Sequence, residues 1–214
     1  MNPNWAVENL QTIRTLMERS SLYRRALAPI MLFAGAVGLA SGLAGWWWRC
    51  DSNFSFVLIW LGAAFVAMLG ALLLVRRQAL KDAEPFWSPP TRRVGQALLP
   101  AFAIGLMLAM WLAPAKDNLG NKTDWTWLQI IVIIGWTWLY GCSVHAAGFF
   151  MPRGVRWLGW IFIAVGGILL LALTLAIKTL IQVSPHLLMG GIFGGIHLVY
   201  GIYLSFTESK APVA

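Results

Sequence analysis

Gly190-Gly191-Ile192-Phe193-Gly194-Gly195-Ile196-His197-Leu198-Val199-Tyr200-Gly201 is apolar enough to lie in lipid, yet it holds five glycines and one ionisable side chain. On a helix, Gly190, Gly194 and Gly201 lie seven before, three before and four after His197, so the four share one face. Small residues let a second helix approach closely, and an intramembrane histidine is expected to face protein, not lipid. The stretch therefore predicts a transmembrane helix whose inner face is either a packing seam or a site.

The whole chain has the same character. It is 59% hydrophobic, with 11% charged residues among 214, against about 25% charged in an ordinary soluble domain. Six apolar spans are predicted at 27–48, 54–75, 96–113, 126–150, 157–177 and 187–206, since about 20 helical residues cross the hydrocarbon core. The third is short, and Pro100 falls in its first turns. The expected fold is an all-α, six-helix transmembrane bundle over 27–206. It is preceded by an amphipathic helix within 1–26 and followed by a short tail, 207–214.

In the N-terminal segment, Leu10, Ile13, Leu16 and Met17 form a narrow apolar stripe among charged residues. Such a segment is expected to lie in the membrane interface, docking of a cytosolic partner being the alternative. No cleavable leader is evident, because the first long apolar run is itself long enough to span.

The net charge of +8 does not point to nucleic acid, because the basic residues lie between apolar segments. Arg14, Arg19, Arg24, Arg25, Arg76, Arg77, Lys81, Arg92, Arg93, Arg153, Arg156 and Lys210 fall on one side of the predicted topology, twelve against Arg49, Lys116, Lys122 and Lys178 on the other. The positive-inside rule then places both termini in the cytoplasm. Arg24, Arg25, Arg76, Arg77, Arg92 and Arg93 would contact anionic lipid headgroups. The stretch Arg76–Gly95, with Pro85, Pro89 and Pro90, reads as the longest linker.

Trp46, Trp47 and Trp48 close the first span, at the headgroup depth that an indole favours. Trp136 and Trp138 lie deeper and call for helix packing. Asn121-Lys122-Thr123 is a glycosylation sequon, relevant only in a eukaryotic secretory pathway. No repeat relates the two halves, so an inverted-repeat transporter is not supported.

The candidate chemistry is sparse. All eight acidic residues fall outside the predicted spans, whereas proton- and sodium-coupled carriers commonly place carboxylates mid-membrane. No phosphate-binding glycine loop, HExxH, CxxC or GxSxG is present. Cys50 and Cys142 are expected at different depths and therefore unpaired.

His145 shares a helical face with Gly141, Cys142 and Gly148, and is expected to face the bundle interior. His186, after Pro185, is expected to cap its helix or meet solvent. No cofactor is expected; were one bound, His145 and His197 are the candidate ligands and haem the group to consider first, with Cys142 one turn from His145 as a third ligand. Their depths differ by about four residues, or ~6 Å, which favours interhelical hydrogen bonding instead.

Gly38/Gly42, Gly62/Gly70, Gly190/Gly194 and Gly191/Gly195 read as small-residue packing faces, within one bundle or between two copies at span six. Gly166-Gly167 in span five marks another close approach or a kink.

Leu10 to Arg24 (LQTIRTLMERSSLYR), Pro152 to Ile168 (PRGVRWLGWIFIAVGGI) and Leu187 to Leu204 (LLMGGIFGGIHLVYGIYL) resemble a family of small bacterial six-span membrane proteins of unassigned function. The resemblance implies an all-helical protein of the cytoplasmic membrane and carries over no functional residue. The functional expectation is a non-catalytic accessory, assembly or sensory subunit with a membrane-protein partner or a second copy. The alternative is a binder of a hydrophobic ligand or haem beside His145 and His197.

Overall fold

The computed structural model describes residues 26–83, 85–87, 89–114, 122–175 and 182–208. The predicted amphipathic helix, with Arg24 and Arg25, the sequon and the C-terminal tail lie outside or at the edge of these residues. The described chain is all helical, with no strand. Six helices are long and apolar enough to cross a membrane. They are α1 (Ala26–Trp47), α2 (Asn53–Lys81), α3 (Pro89–Leu112), α4 (Lys122–Ala147), α5 (Arg153–Leu175) and α6 (Pro185–Glu208).

Local chemistry sets the helix ends. At the end of α1, the N–H of Cys50 bonds the carbonyl of Gly45 at 3.0 Å and that of Arg49 bonds Trp46 at 3.3 Å. These are the two bonds of a Schellman stop, with Arg49 in the left-handed region at φ 51° where glycine is usual. Ser52 then caps α2, its side chain accepting the Ser55 N–H at 3.1 Å. At the far end of α2, Asp82 closes the last turn and accepts from Gln78 Nε2 at 3.0 Å.

Two expected boundaries shift there. α2 runs on through Arg76, Arg77 and Lys81, and α3 begins at Pro89. The expected linker 76–95 thus contracts to the residues between Lys81 and Pro89, and its basic residues belong to helix ends. Proline is well suited to a helix start, where its missing N–H has no partner to lose. Accordingly α3 has 24 residues, and Pro100 lies in its interior, not its first turns. α4 ends at Ala147, three residues before the expected boundary at 150.

α4 is the hub, packing on α2, α3, α5 and the start of α6. Half of its span is buried, against 6% for α3. The core runs through Leu27 of α1, Phe56 and Trp60 of α2, Ile130 and Ile133 of α4, Leu158 and Phe162 of α5, and Met189 and Ile192 of α6.

Glycines set two of the helix pairings. A Cβ on Gly38 would stand 2.8 Å from the Cα of Gly194, and one on Gly42 2.8 Å from the Cα of Gly190. A Cβ on Gly201 would stand 2.8 Å from the Leu32 backbone. α1 and α6 therefore meet backbone to backbone, as small-residue faces permit. Between α4 and α5, Gly141 abuts the Gly159 carbonyl and the Ile163 backbone, and Gly148 abuts Arg156. Gly191, Gly195, Gly62 and Gly167 face open space, so the second GxxxG pair of span six and the first glycine of Gly62/Gly70 take no part in the bundle.

The two deep tryptophans also join helices. Trp136 Nε1 donates to the Gly105 carbonyl of α3 at 2.9 Å, and Trp138 Nε1 to the Ile163 carbonyl of α5 at 3.2 Å. Packing accounts for their depth, and a hydrogen bond satisfies each half-buried indole.

Candidate functional site

α6 is not uniform. Gly190–Gly195 forms a π-helical turn between α-helical Pro185–Met189 and Ile196–Glu208. Such widened turns are rare and recur at functional positions. His197 follows two residues later and is 4% exposed. At about 100° per residue it sits about 60° around the axis from Gly194 and about 40° from Gly201. The glycines therefore meet α1, while His197 turns toward α4 and α5.

Both nitrogens of His197 are engaged. Nδ1 bonds the Phe193 carbonyl, one turn back. A carbonyl only accepts, so Nδ1 carries the hydrogen and the neutral ring offers a lone pair at Nε2. Tyr140 of α4 supplies the donor at 2.6 Å. Phe162 and Phe193 enclose the pair, with ring centroids 4.9 and 5.3 Å from that of Tyr140. Inside so apolar a box this bond cannot be traded for water, which makes it a joint between α4 and α6.

His145 belongs to a different environment. It is half-buried on α4 beside α5, its Nδ1 3.4 Å from the Arg156 carbonyl and its ring edge-on to Phe149 and Trp160. The helical face predicted for it holds for Gly141 and Gly148, which face α5, but not for Cys142, which is exposed. His145 and His197 thus have separate sets of neighbours, and Cys142 is not directed inward as a third donor. Both cysteines are free. Among the described residues no three His, Cys, Asp or Glu side chains gather as a metal site would require.

The third histidine does not take the role expected of it. His186 is 1% exposed, neither a cap nor a solvent group. Its Nε2 donates to the Cys50 carbonyl at 2.9 Å. The opposite edge of the ring lies on Gly45, where a Cβ would come within 2.2 Å of Nδ1. Phe56 and Trp60 pack on its faces.

Gln129, 2% exposed, works beside it. Its Nε2 reaches the Asp51 carbonyl at 2.9 Å and Asn53 Oδ1 at 3.1 Å. One buried side chain from α6 and one from α4 therefore fix the turn between α1 and α2. The signal available in the sequence was Gln129 itself, a polar residue inside a predicted span.

Of the basic candidates, Arg76, Arg77, Arg92 and Arg93 are exposed at the α2–α3 end of the bundle, Arg93 also lying over the Phe150 ring at 5.7 Å. Trp46, Trp47 and Trp48 are exposed at the opposite end of α1, near the start of α2.

Comparison with protein-family models, with curated proteins and with solved structures gave no match. The resemblance carried by the three quoted stretches rests on those residues alone.

Proposed function

We propose that this chain is a non-catalytic multi-pass protein of a bacterial cytoplasmic membrane, an accessory, assembly or sensory subunit acting through helix contacts and its basic cytoplasmic face. The carrying observation is the Tyr140–His197–Phe193 chain of hydrogen bonds. It spends the buried histidine of α6 on joining two helices, where a cofactor site would leave a nitrogen free. The sixteen Lys and Arg residues divide twelve to four, which supports both termini in the cytoplasm. The same division sets Arg76, Arg77, Arg92 and Arg93 against anionic lipid or an acidic partner. α2 and α3, with 17% and 6% of their spans buried, offer apolar faces to lipid or to a second membrane protein.

The test is purification of the full chain in mild detergent, with an absorption spectrum, a bound-metal assay and identification of copurifying proteins. A colourless, metal-free protein that retains a stoichiometric membrane partner is the expected result. A Soret band that disappears in His197→Ala would overturn it in favour of haem binding, with Tyr140 displaced from Nε2. A C-terminal reporter that folds only in the cytoplasm should be active; activity from a periplasm-specific reporter alone would refute the orientation.

A further inference from the structure

The α1–α2 turn is held more firmly than a surface connection requires. Gln129 holds the Asp51 carbonyl, and Cys50's carbonyl takes bonds from both His186 Nε2 and Ser55 Oγ, the latter at 2.9 Å. Two of these donors are buried side chains from distant helices, α4 and α6. What they hold in place is a charged pair of opposite sign, Arg49 and Asp51, both exposed. Arg49 keeps its place at positive φ, a backbone conformation that disfavours a side chain.

Both residues line a cavity of about 450 Å³ together with Trp46, Gln129, Ser184 and His186. That volume is in the range of small-ligand sites, about 300–1,000 Å³. The lining pairs one cation with one anion among neutral polar and apolar side chains, Val183 and Leu187 included, which suits a zwitterion better than a metal ion or a polyanion.

We propose that this cavity is a headgroup site for a phospholipid carrying a primary ammonium, its phosphate set against Arg49 and its ammonium against Asp51. The choice of a lipid over a free zwitterion rests on the membrane-spanning reading, not on the subunit role, and on the neighbours below the cavity. Trp46, a cavity wall, is followed by the exposed Trp47 and Trp48, which suit headgroup depth. Leu43, one turn deeper on the same side of α1, is 55% exposed. A lipid with its head in the cavity would run its chains down that face. The buried bonds of Gln129 and His186 preorganise the charged turn, so little ordering is lost on binding.

The test is titration of the purified full chain with short-chain phosphatidylethanolamine, phosphatidylcholine and phosphatidylglycerol, read by native mass spectrometry. A one-to-one complex favouring the ethanolamine lipid is expected. Arg49→Gln and Asp51→Asn should each weaken it about tenfold while leaving the melting temperature unchanged, about the effect of losing one charge-assisted contact. Arg49→Lys should restore part of the affinity. Lys81→Gln, at the other end of the bundle, should change nothing.

Equal retention of the three lipids, or unaltered binding in both charge variants, would overturn the proposal. Displacement by soluble phosphoethanolamine at the concentration of the lipid itself would also overturn it, assigning the cavity to a free zwitterion. None of these outcomes depends on whether the chain retains a protein partner.

Discussion

Tyr140 of α4 donates its phenolic hydrogen to Nε2 of His197 on α6 at 2.6 Å, and the imidazole donates its single N–H, at Nδ1, to the Phe193 carbonyl. The bond closes a loop of 57 residues across the bundle interior, and each partner packs among aromatic rings. Removing one partner strands the other. Tyr140→Phe should therefore destabilise the protein by about 1–3 kcal/mol, the usual effect of leaving a buried polar group unsatisfied. His197→Leu combined with Tyr140→Phe should lose less than the sum of the singles. Thermal unfolding in detergent checks this as a double-mutant cycle, with a coupling of about 0.6–1.7 kcal/mol expected for a bond between membrane helices.

The glycines of α6 should divide by sign. Gly194 meets the Leu39 backbone, where a Cβ would stand 2.5 Å from the amide nitrogen; Gly191 and Gly195 have nothing within 4 Å. Gly194→Ala and Gly38→Ala should each cost about 1–3 kcal/mol by forcing α1 and α6 apart. Gly191→Ala should be neutral or stabilising by up to about 1 kcal/mol through helix propensity. Unfolding midpoints of the three variants decide it. A loss at Gly191 matching that at Gly194 would mean that the open face is covered by another copy.

The apolar spans were legible because length and composition alone mark a helix that is long and apolar enough to cross a membrane. The glycine seams were legible only in part. Spacing identified Gly38, Gly42, Gly190 and Gly194 as a packing set, but could not say that Gly191 and Gly195 point away, since two interleaved GxxxG pairs carry the same pattern.

Pro89-Pro90 read as linker because prolines punctuate loops, yet a proline pair is equally at home in a first helical turn. His186 was misread for a related reason. Position after Pro185 predicts a helix start, and the sequence gives no sign that the start is roofed by the Cys50 turn, 136 residues away in the chain.

Gly45 and His186 form a second local test. A methyl group at position 45 would fall on the imidazole, so Gly45→Ala should displace the ring and break its bond to the Cys50 carbonyl. The expected loss is about 1–3 kcal/mol. Combined with His186→Ala, which removes the obstructing ring, the Gly45→Ala penalty should largely vanish. Non-additivity of this kind is the signature of direct contact, and chemical denaturation of the four species measures it.

α3 is joined to the bundle chiefly through α4 and has 6% of its span buried. Pro100 sits in its interior, where it donates no N–H and crowds the carbonyl one turn earlier. Against this weak packing, the Trp136 Nε1 bond to the Gly105 carbonyl is a specific tether, with the indole seated over Gly105 at 3.6 Å from where a Cβ would be. Few buried contacts make a helix the first to open. Amides of α3 should exchange with deuterium faster than those of α4 in the same detergent or nanodisc sample. Trp136→Phe should accelerate exchange in α3 around Gly105 while leaving α5 and α6 unchanged. Trp138→Phe, which removes the bond to the Ile163 carbonyl, should loosen α5 instead. Pro100→Ala should slow exchange in α3 by restoring the missing donor. Equal exchange throughout the bundle in all three variants would show that α3 is held by contacts other than this tether.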